Sequence, residues 1–314
     1  MREVLKRIAF NGLANPFRLR RRLNKLAATR AVTILNLHRV AKDDGSDYRP
    51  LSPVLFEDLL RFCRHRFAFR TFADLHLPTN QPRLILSFDD GYRDFFENAL
   101  PLLERYRVRV NHNIIPACSD KGSPPLNVVT QDFIGRAPLA AVEALDVPGF
   151  GTVTKGVGWK LSHFLKSQPM VEQHRLADHL APQFGMVPGF APTPMMTIEQ
   201  LKHVAMRHEI GAHSFEHASM AHESDDYLRR DWQRCRLWFR DRLGLDVAIY
   251  ALPNGSARDT QVALLQQEGV RHVLLVGERF GGEGPVHHRF TFDGHSAAEI
   301  RVRALGFRAK VPSS

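Results

Sequence analysis

The stretch that most restricts how this chain can fold is Leu84-Ile85-Leu86-Ser87-Phe88-Asp89-Asp90-Gly91. An apolar run of this kind reads as a strand of a parallel sheet, buried on both faces, and it stops abruptly at two carboxylates. In α/β folds the carboxyl-terminal ends of such strands are where the chemistry sits. Neighbouring side chains on a regular strand point to opposite faces, so Asp89 and Asp90 can serve one pocket only where the strand gives way to a turn. Gly91 is suited to supply it. Taken alone, the same Asp-Asp-Gly equally well caps a following helix, and the rest of the chain has to decide.

Strand-like and helix-like segments alternate around this stretch. A β-like run over 31–38 ends in His38, and a polar loop over 42–53 places Ser52 to cap a helix over 54–66. The spacing then predicts the strand at 84–88, a helix over 95–106 and a β-like run over 108–115. From 198 onward the pattern returns: helix 198–207, strand 209–213, helix 225–243, strand 247–252, helix 259–268 and strand 271–276. This is the signature of a parallel sheet with helices outside it. Between the two halves, Gly122-Ser123-Pro124-Pro125, Val147-Pro148-Gly149 and Val187-Pro188-Gly189 interrupt residues 116–195, with helices predicted over 133–145 and 173–184. The segment reads as a long insertion between core strands that covers the site, not as a separate domain. The organisation expected is a single α/β domain over 32–314 with that insertion, preceded by an arm over 1–31.

The formal charge of +10 belongs to that arm. Residues 1–30 hold nine basic side chains against Glu3 alone, which leaves the rest of the chain near neutral and argues against a nucleic-acid partner. Val4, Leu5 and Ile8, then Leu19, Leu23 and Leu26 after Pro16, fall at helical spacing, so the arm reads as two short basic amphipathic helices. Such helices either lie on an anionic membrane surface or dock on the domain with a solvated basic face. No apolar run reaches the roughly 20 residues of a membrane span, and Met1 to Asn15 do not read as a secretory signal. The expected location is cytoplasmic, with a peripheral place at the inner face of the membrane as the alternative that the arm allows. Cys63, Cys118 and Cys235 are widely spaced and odd in number, which suits small core residues better than a disulfide framework or a cysteine metal cage.

A second informative stretch, Glu209-Ile210-Gly211-Ala212-His213-Ser214-Phe215-Glu216-His217, ends a short strand in one histidine and places another four residues later. That spacing allows both imidazoles to reach one divalent ion, with a third ligand from a carboxylate elsewhere. Imidazole and carboxylate together suit zinc or another late first-row ion, and a coordination position left to water makes such a site catalytic. Alone, a His-x-x-x-His pair is more often a surface or capping feature. A third stretch, Ile249-Tyr250-Ala251-Leu252-Pro253-Asn254-Gly255, runs an apolar strand into a constrained turn able to aim N–H groups into a pocket.

These stretches, in this order, resemble the polysaccharide deacetylases of the NodB-homology, carbohydrate esterase family. Ser87-Phe88-Asp89-Asp90-Gly91 is similar to its Thr-Phe-Asp-Asp-Gly motif, and His213-Ser214-Phe215-Glu216-His217 to its His-Ser/Thr-x-x-His motif. Tyr250 to Gly255 is similar to its third motif around Pro-x-Gly, and Leu35-Asn36-Leu37-His38-Arg39-Val40 to its entry strand. The resemblance spans about residues 32–307 and implies a distorted (β/α) barrel. It implies a metal held by Asp90, His213 and His217, most simply Zn2+ with Co2+ or Ni2+ as alternatives, and Asp89 as general base. It also implies Tyr250, Pro253 and Asn254 as the substrate and oxyanion turn. The general acid would be a late histidine, with His287, His288 and His295 as candidates and His288 favoured because it directly precedes a strand. His38 and His112 read as pocket-lining or core residues. The third motif departs from the family in having Tyr or Ala where many members carry an arginine that orients the base, so Asp89 must be positioned differently. The reaction implied is removal of an N-acetyl group from an acetamido sugar, the substrate being an acetylated glycan or a lipid-linked or nucleotide sugar. Hydrolysis of another C–N or ester bond by the same centre, or an inactive membrane- or nucleic-acid-binding relative, are the alternatives.

Overall fold

The computed structural model describes residues 9–311. The first arm helix, expected around Val4, Leu5 and Ile8, therefore falls largely outside the described residues. The second forms as α1 (Pro16–Ala27), with proline at its start and Asn15 accepting from the Phe17 N–H at 3.0 Å. Its Leu19 and Leu26 are buried, and Arg22 reaches the carbonyls of Leu305, Gly306 and Ala309 at 3.1, 2.5 and 2.6 Å. Arg18, Arg20, Arg21 and Lys25 are exposed. No helix among the described residues is long and apolar enough to cross a membrane.

The chain then alternates as the sequence predicts. It runs through β1 (Val32–Leu37), α2 (Pro53–Cys63), β2 (Ala68–Phe69) and β3 (Arg83–Asp90). A single π-turn over Phe95–Ala99 leads into α3 (Leu100–Tyr106), and β4 (Asn111–Ile114) follows. After the insertion come α9 (Ile198–Ala205), β5 (Glu209–Ala212), α10 (Asp225–Leu243), β6 (Ile249–Ala251), α11 (Asp259–Gln267), β7 (His272–Val276), β8 (Val286–Thr291) and α12 (Ala297–Ala304). Ser52 caps α2 as expected, accepting from the Leu55 N–H at 3.3 Å.

All pairings between these strands are parallel, and β1 pairs with both β3 and β8, so β1-β3-β4-β5-β6-β7-β8 closes into a seven-stranded barrel with helices around it. Strand β2, which the sequence did not reveal, pairs with β3 outside the closed ring. The ring is uneven: β5 meets β6 at the single register Ala212–Tyr250, and β8 meets β1 over two residues. This is the distorted (β/α) barrel expected from the sequence. Inward-facing Val32, Ile34, Ile85, Ile249, Ala251 and Leu274 pack together in the lower half, with Phe72 and Leu75 as part of the same cluster. Each buried aliphatic side chain contributes about 1.5–3 kcal/mol. Above them the same inward positions turn polar, as Asn36, Ser87, Asp89, Asn111, Asn113 and Arg289, all buried.

The insertion is richer in helix than predicted. It holds α4 (Pro116–Lys121), α5 (Leu126–Arg136), α6 (Leu139–Glu143), α7 (Gly158–Lys166) and α8 (Met170–Gly185). The one helix expected over 133–145 is divided because Pro138 cannot continue α5. Phe133, Ile134, Leu161, Leu165, Leu176 and Leu180 give the segment an apolar core of its own. It also grips the loop between β1 and α2. A Cβ at Gly135 would lie 2.1 Å from the Gly45 carbonyl oxygen, and one at Gly158 would lie 2.6 Å from an Asp47 carboxylate oxygen, so each close approach requires glycine. Beyond α7, the Met170 N–H donates to Glu223 at 2.6 Å.

Candidate active site

Strand alternation sends Ile85, Ser87 and Asp89 into the barrel, which by itself would send Asp90 outward. The backbone reverses this at Asp90, whose φ is +79°, followed by Gly91 at +95°. The turn that the sequence assigns to Gly91 thus begins one residue earlier, on a non-glycine residue. Ser214 (φ +57°) and His217 (φ +67°) are held in the same sparsely populated region. Such backbone strain gathers where side chains must be aimed.

The two carboxylates have opposite surroundings. Asp89 Oδ1 accepts from Arg289 at 2.6 Å and from the Asn113 amide at 2.8 Å, while Oδ2 accepts from the Asn36 amide at 2.7 Å. Burial pushes the Asp89 pKa up, but the charges of Arg289 and His213 and the Arg289 hydrogen bond overcome it and hold the carboxyl well below the usual range. Asp90 Oδ1 is buried with no hydrogen-bond partner. It faces His213 Nε2 at 3.4 Å and His217 Nε2 at 3.7 Å. Among the described residues these three form the one group able to converge on a metal ion, their ligand atoms lying within 4.8 Å of one another.

The histidines are prepared for such a role by their supports. His213 Nδ1–H donates to the Ala251 carbonyl at 2.8 Å, which fixes the ring's orientation and turns Nε2 toward Asp90. Burial, then His213 and Lys166, push the His217 pKa well down, so its ring stays neutral. The loop between them hangs on Asp231 of α10. Asp231 accepts from Ser214 Oγ at 2.9 Å, from the Phe215 N–H at 3.0 Å and from the Tyr250 hydroxyl at 2.5 Å, and Ser214 Oγ in turn accepts from the Ala218 N–H at 3.0 Å. One unpaired buried carboxylate oxygen beside two imidazole nitrogens fits a divalent cation, which is the donor set that zinc, cobalt or nickel takes.

Several expected site residues sit elsewhere. Tyr250 points out of the barrel toward α10, because Ala251 takes the inward position on β6, and it braces the histidine loop instead of facing substrate. Asn254 donates to Ser219 at 2.9 Å, and Pro253 is buried. The N–H groups of Leu252, Gly255 and Ser256 are spent on the carbonyls of Leu274, Leu252 and Pro253. On β8, His287 and Arg289 face inward while His288 faces outward, where a Cβ on Gly277 would touch its Nδ1 at 3.0 Å. His287 lies low in the barrel against His272 and Phe72, and His295 is exposed with its N–H on Glu299. None of the three late histidines is brought to the carboxylates.

Outside the His213 and His217 pair, the histidine on which both carboxylates act is His38, just beyond β1. Burial lowers its pKa while the nearby charges of Asp90 and Asp89 raise it and those of His213 and Arg289 lower it further. Tyr48 stands beside it, ring centroids 6.0 Å apart, and Tyr92 lies 6.2 Å from Tyr48. Burial and the Asp90 charge push both phenols well up, so both remain neutral hydroxyls. Beyond this wall, an apolar groove of about 510 Å³ between insertion and barrel is lined by Cys118, Val129, Met170, Phe184, Phe190 and Glu216 among others.

The residues that sequence reasoning missed are Arg289, Asn36, Asn113 and Asp231. Arg289 stands two residues after His287 in the same strand and so shares its inward face. Asn36 is a lone amide among leucines. Both signals lie in the sequence, but only a known barrel interior gives them meaning.

The sequence profile of the polysaccharide deacetylase family matches residues 155–273. Solved structures with the same fold include the Streptococcus pyogenes deacetylase PplD in complex with acetate, at 14% identity and a TM-score of 0.58, with 88% of this chain and 98% of that one covered. IcaB from Ammonifex degensii is 16% identical over 88% of this chain and 97% of its own, with a TM-score of 0.57. A de-N-acetylase from Aggregatibacter actinomycetemcomitans is 15% identical over 86% and 99%, with a TM-score of 0.54. At these identities the likeness is one of fold. No curated protein matches this chain by sequence.

Proposed function

We propose that this chain, whose residues 155–273 match the polysaccharide deacetylase model and whose fold is that of solved deacetylases, is a metal-dependent hydrolase removing an N-acetyl group from an acetamido sugar, in a polysaccharide or its precursor. The observation that carries this reading is the convergence of Asp90, His213 and His217 on a buried, unanswered carboxylate oxygen, next to an Asp89 pinned by three donors. A divalent ion held by those three residues, zinc being the first choice and cobalt or nickel the alternatives, would polarise the acetamide carbonyl and acidify water.

The remaining work falls to the chain. Asp89 is kept ionised by Arg289 and held in one orientation by Asn36 and Asn113, so it is ready to accept a proton from water. Its Oδ2 carries one hydrogen bond where Oδ1 carries two, and it lies 3.8 Å from His213 Nε2, so Oδ2 is the oxygen open to that proton. His38 is the imidazole on the same rim that is not a ligand, and it is assigned the proton for the departing nitrogen. The oxyanion turn expected at Tyr250, Pro253 and Asn254 has no part in this assignment.

The test is acetate release by the purified chain, loaded with zinc, from acetylated oligosaccharides and acetamido sugars. Asp90→Ala and His217→Ala are each expected to abolish stoichiometric metal binding and to lower kcat/KM by at least about a thousandfold, which is about 4 kcal/mol. Retention of metal and activity in either variant would remove the assignment. Release of another acyl or amine product by the wild type would redirect it to a different C–N or ester bond.

A further inference from the structure

Helix α1 docks on the barrel through Leu19, Leu26 and Arg22, and a cavity of about 540 Å³ lies between it, the end of α2 and α12. Four guanidinium groups line this cavity against the single carboxylate of Asp58: Arg20 from α1, Arg61 from α2, Arg66 from the turn after it and Arg301 from α12. Asp58 is taken by Arg301, at 3.3 and 3.4 Å. Glu57, which does not line the cavity, is shared between Arg61 at 3.6 Å and Arg105 at 3.3 Å. Arg66 spends one nitrogen on the Phe62 carbonyl at 2.8 Å. Arg20 has no hydrogen bond or ion pair among the described residues, and Arg301 Nε is buried without a hydrogen-bond partner. The cavity is remote from the candidate active site. Ala68, just past Arg66, pairs with Arg83 at the start of β3, so Arg66 lies at the opposite end of that strand from Asp89 and Asp90.

Guanidinium groups in excess of carboxylates are the donor set that phosphate takes, since each planar fork can hold two of its oxygens. Leu19, Leu23 and Phe62 make part of the same lining apolar, which suits a phosphate carried on a hydrocarbon body. The outer face of α1 continues the pattern. Arg18, Arg21 and Lys25 are exposed along it, and Phe17 near its start is 73% exposed. An aromatic side chain left in solvent among basic ones is the arrangement of a helix lying in the headgroup layer, where each basic residue adds attraction to an anionic leaflet. Free phosphate would account for the cavity but not for Phe17 or the basic stripe, whereas an anionic leaflet offers phosphate, negative charge and apolar depth together. We propose that the cavity between α1, α2 and α12 holds the headgroup phosphate of an anionic phospholipid, with the outer face of α1 resting on the membrane surface. Docking on the domain and lying on a membrane are then two faces of one helix. The lipid takes no part in the reaction, and the assignment does not depend on the deacetylase reading.

The experiment sediments the full chain with vesicles of phosphatidylcholine alone and of phosphatidylcholine containing about a third phosphatidylglycerol. Wild type is compared with Arg20→Gln/Arg66→Gln and with Arg230→Gln/Arg236→Gln, which removes the same charge from exposed positions of α10, on the side of the ring away from β1. The wild type is expected to bind the anionic vesicles at least about tenfold more tightly than the neutral ones. Arg20→Gln/Arg66→Gln should lose about tenfold to thirtyfold of that affinity, as two basic contacts disappear, and the α10 pair should lose none. Acetate release from a soluble acetylated oligosaccharide should be the same in all three. Phe17→Ser, at an exposed position, should also weaken vesicle binding, and it keeps the test decisive if the double variant does not fold. Equal binding to the two vesicles overturns the proposal, as does a loss in the α10 pair as large as in the cavity pair. Inorganic phosphate that raises the denaturation midpoint of a wild type bound to neither vesicle would give the cavity to a soluble phosphate and overturn the lipid assignment. A DNA duplex bound more tightly than the anionic vesicles would overturn it too.

Discussion

Both ends of the barrel bury titratable side chains, and they treat them differently. At the amino-terminal end Glu209 spends its two oxygens on the N–H groups of Phe72 and Ala73, at 2.9 and 2.7 Å. His272 and His287 meet there at 3.1 Å, packed against the Phe72 ring. At the carboxyl-terminal end the buried groups include the Asp89–Arg289 ion pair, and one carboxylate oxygen, Asp90 Oδ1, has no hydrogen-bond partner. An idle nitrogen on a neutral imidazole costs far less than an unanswered oxygen on a buried carboxylate. Burial of a titratable group is therefore a poor mark of a functional site. An unpaired ionic acceptor with other ligand atoms converging on it is a better one, because the fold retains that cost where a guest completes the shell.

The largest test of this contrast is Arg289. Replacing it by Met leaves Asp89 buried without its countercharge, and breaking a buried pair from one side costs about 3–5 kcal/mol. Arg289→Met is expected to lower kcat/KM for acetate release by about a hundredfold to a thousandfold. Metal content should stay stoichiometric, since Asp90, His213 and His217 keep their own supports. Arg289→Lys should recover part of the loss. Steady-state kinetics together with metal analysis read this, and an unimpaired Arg289→Met would mean that the two amides of Asn36 and Asn113 suffice to hold Asp89.

A smaller effect is expected where the insertion meets the rim. In Gly135→Ala the new methyl would lie 2.1 Å from the Gly45 carbonyl oxygen and 2.7 Å from the Asp47 nitrogen, both backbone atoms. Neither can swing away, so the loop that carries Tyr48 must shift. The expected cost is about 2 kcal/mol or more, read as a lower midpoint of denaturation. Unchanged stability would show that the insertion rests on the barrel more loosely than its glycines imply.

What could be read from the sequence followed the reach of each interaction. Asp90, His213 and His217 were legible because each is tied to a strand end by local pattern, and the barrel was legible because alternation of strand and helix is local too. Arg289 was not, since its partner Asp89 is 200 residues away and the family pattern places the orienting arginine on β6. Tyr250 was misread for a related reason: on a three-residue strand a shift of one position decides between facing the pocket and facing α10. The insertion was the least legible region, because its helices are defined by their packing on one another and not by strong periodicity. Its contacts with Gly45 and Asp47 leave no mark beyond two glycines.

The finest test lies at the quiet end of the barrel and separates His287 from the histidines of the rim. His287→Leu should leave acetate release unchanged, because the ring faces His272 and Phe72, one inward position below Arg289 on the strand. Its effect should appear in acid stability. Burial, with smaller contributions from His272 and His288, lowers the His287 pKa from 6.5 to about 3. Below about pH 6.5 the unfolded chain binds a proton on this ring that the folded chain refuses until about pH 3, so the unfolded state holds more protons across that window. The wild type therefore loses stability as pH falls through it, and His287→Leu should lose it less steeply. Denaturation midpoints of the two proteins between pH 7 and pH 4 read the difference directly. Parallel curves would place the acid sensitivity elsewhere, and a loss of activity in His287→Leu would return a late histidine to the reaction and dissolve the distinction between the two ends.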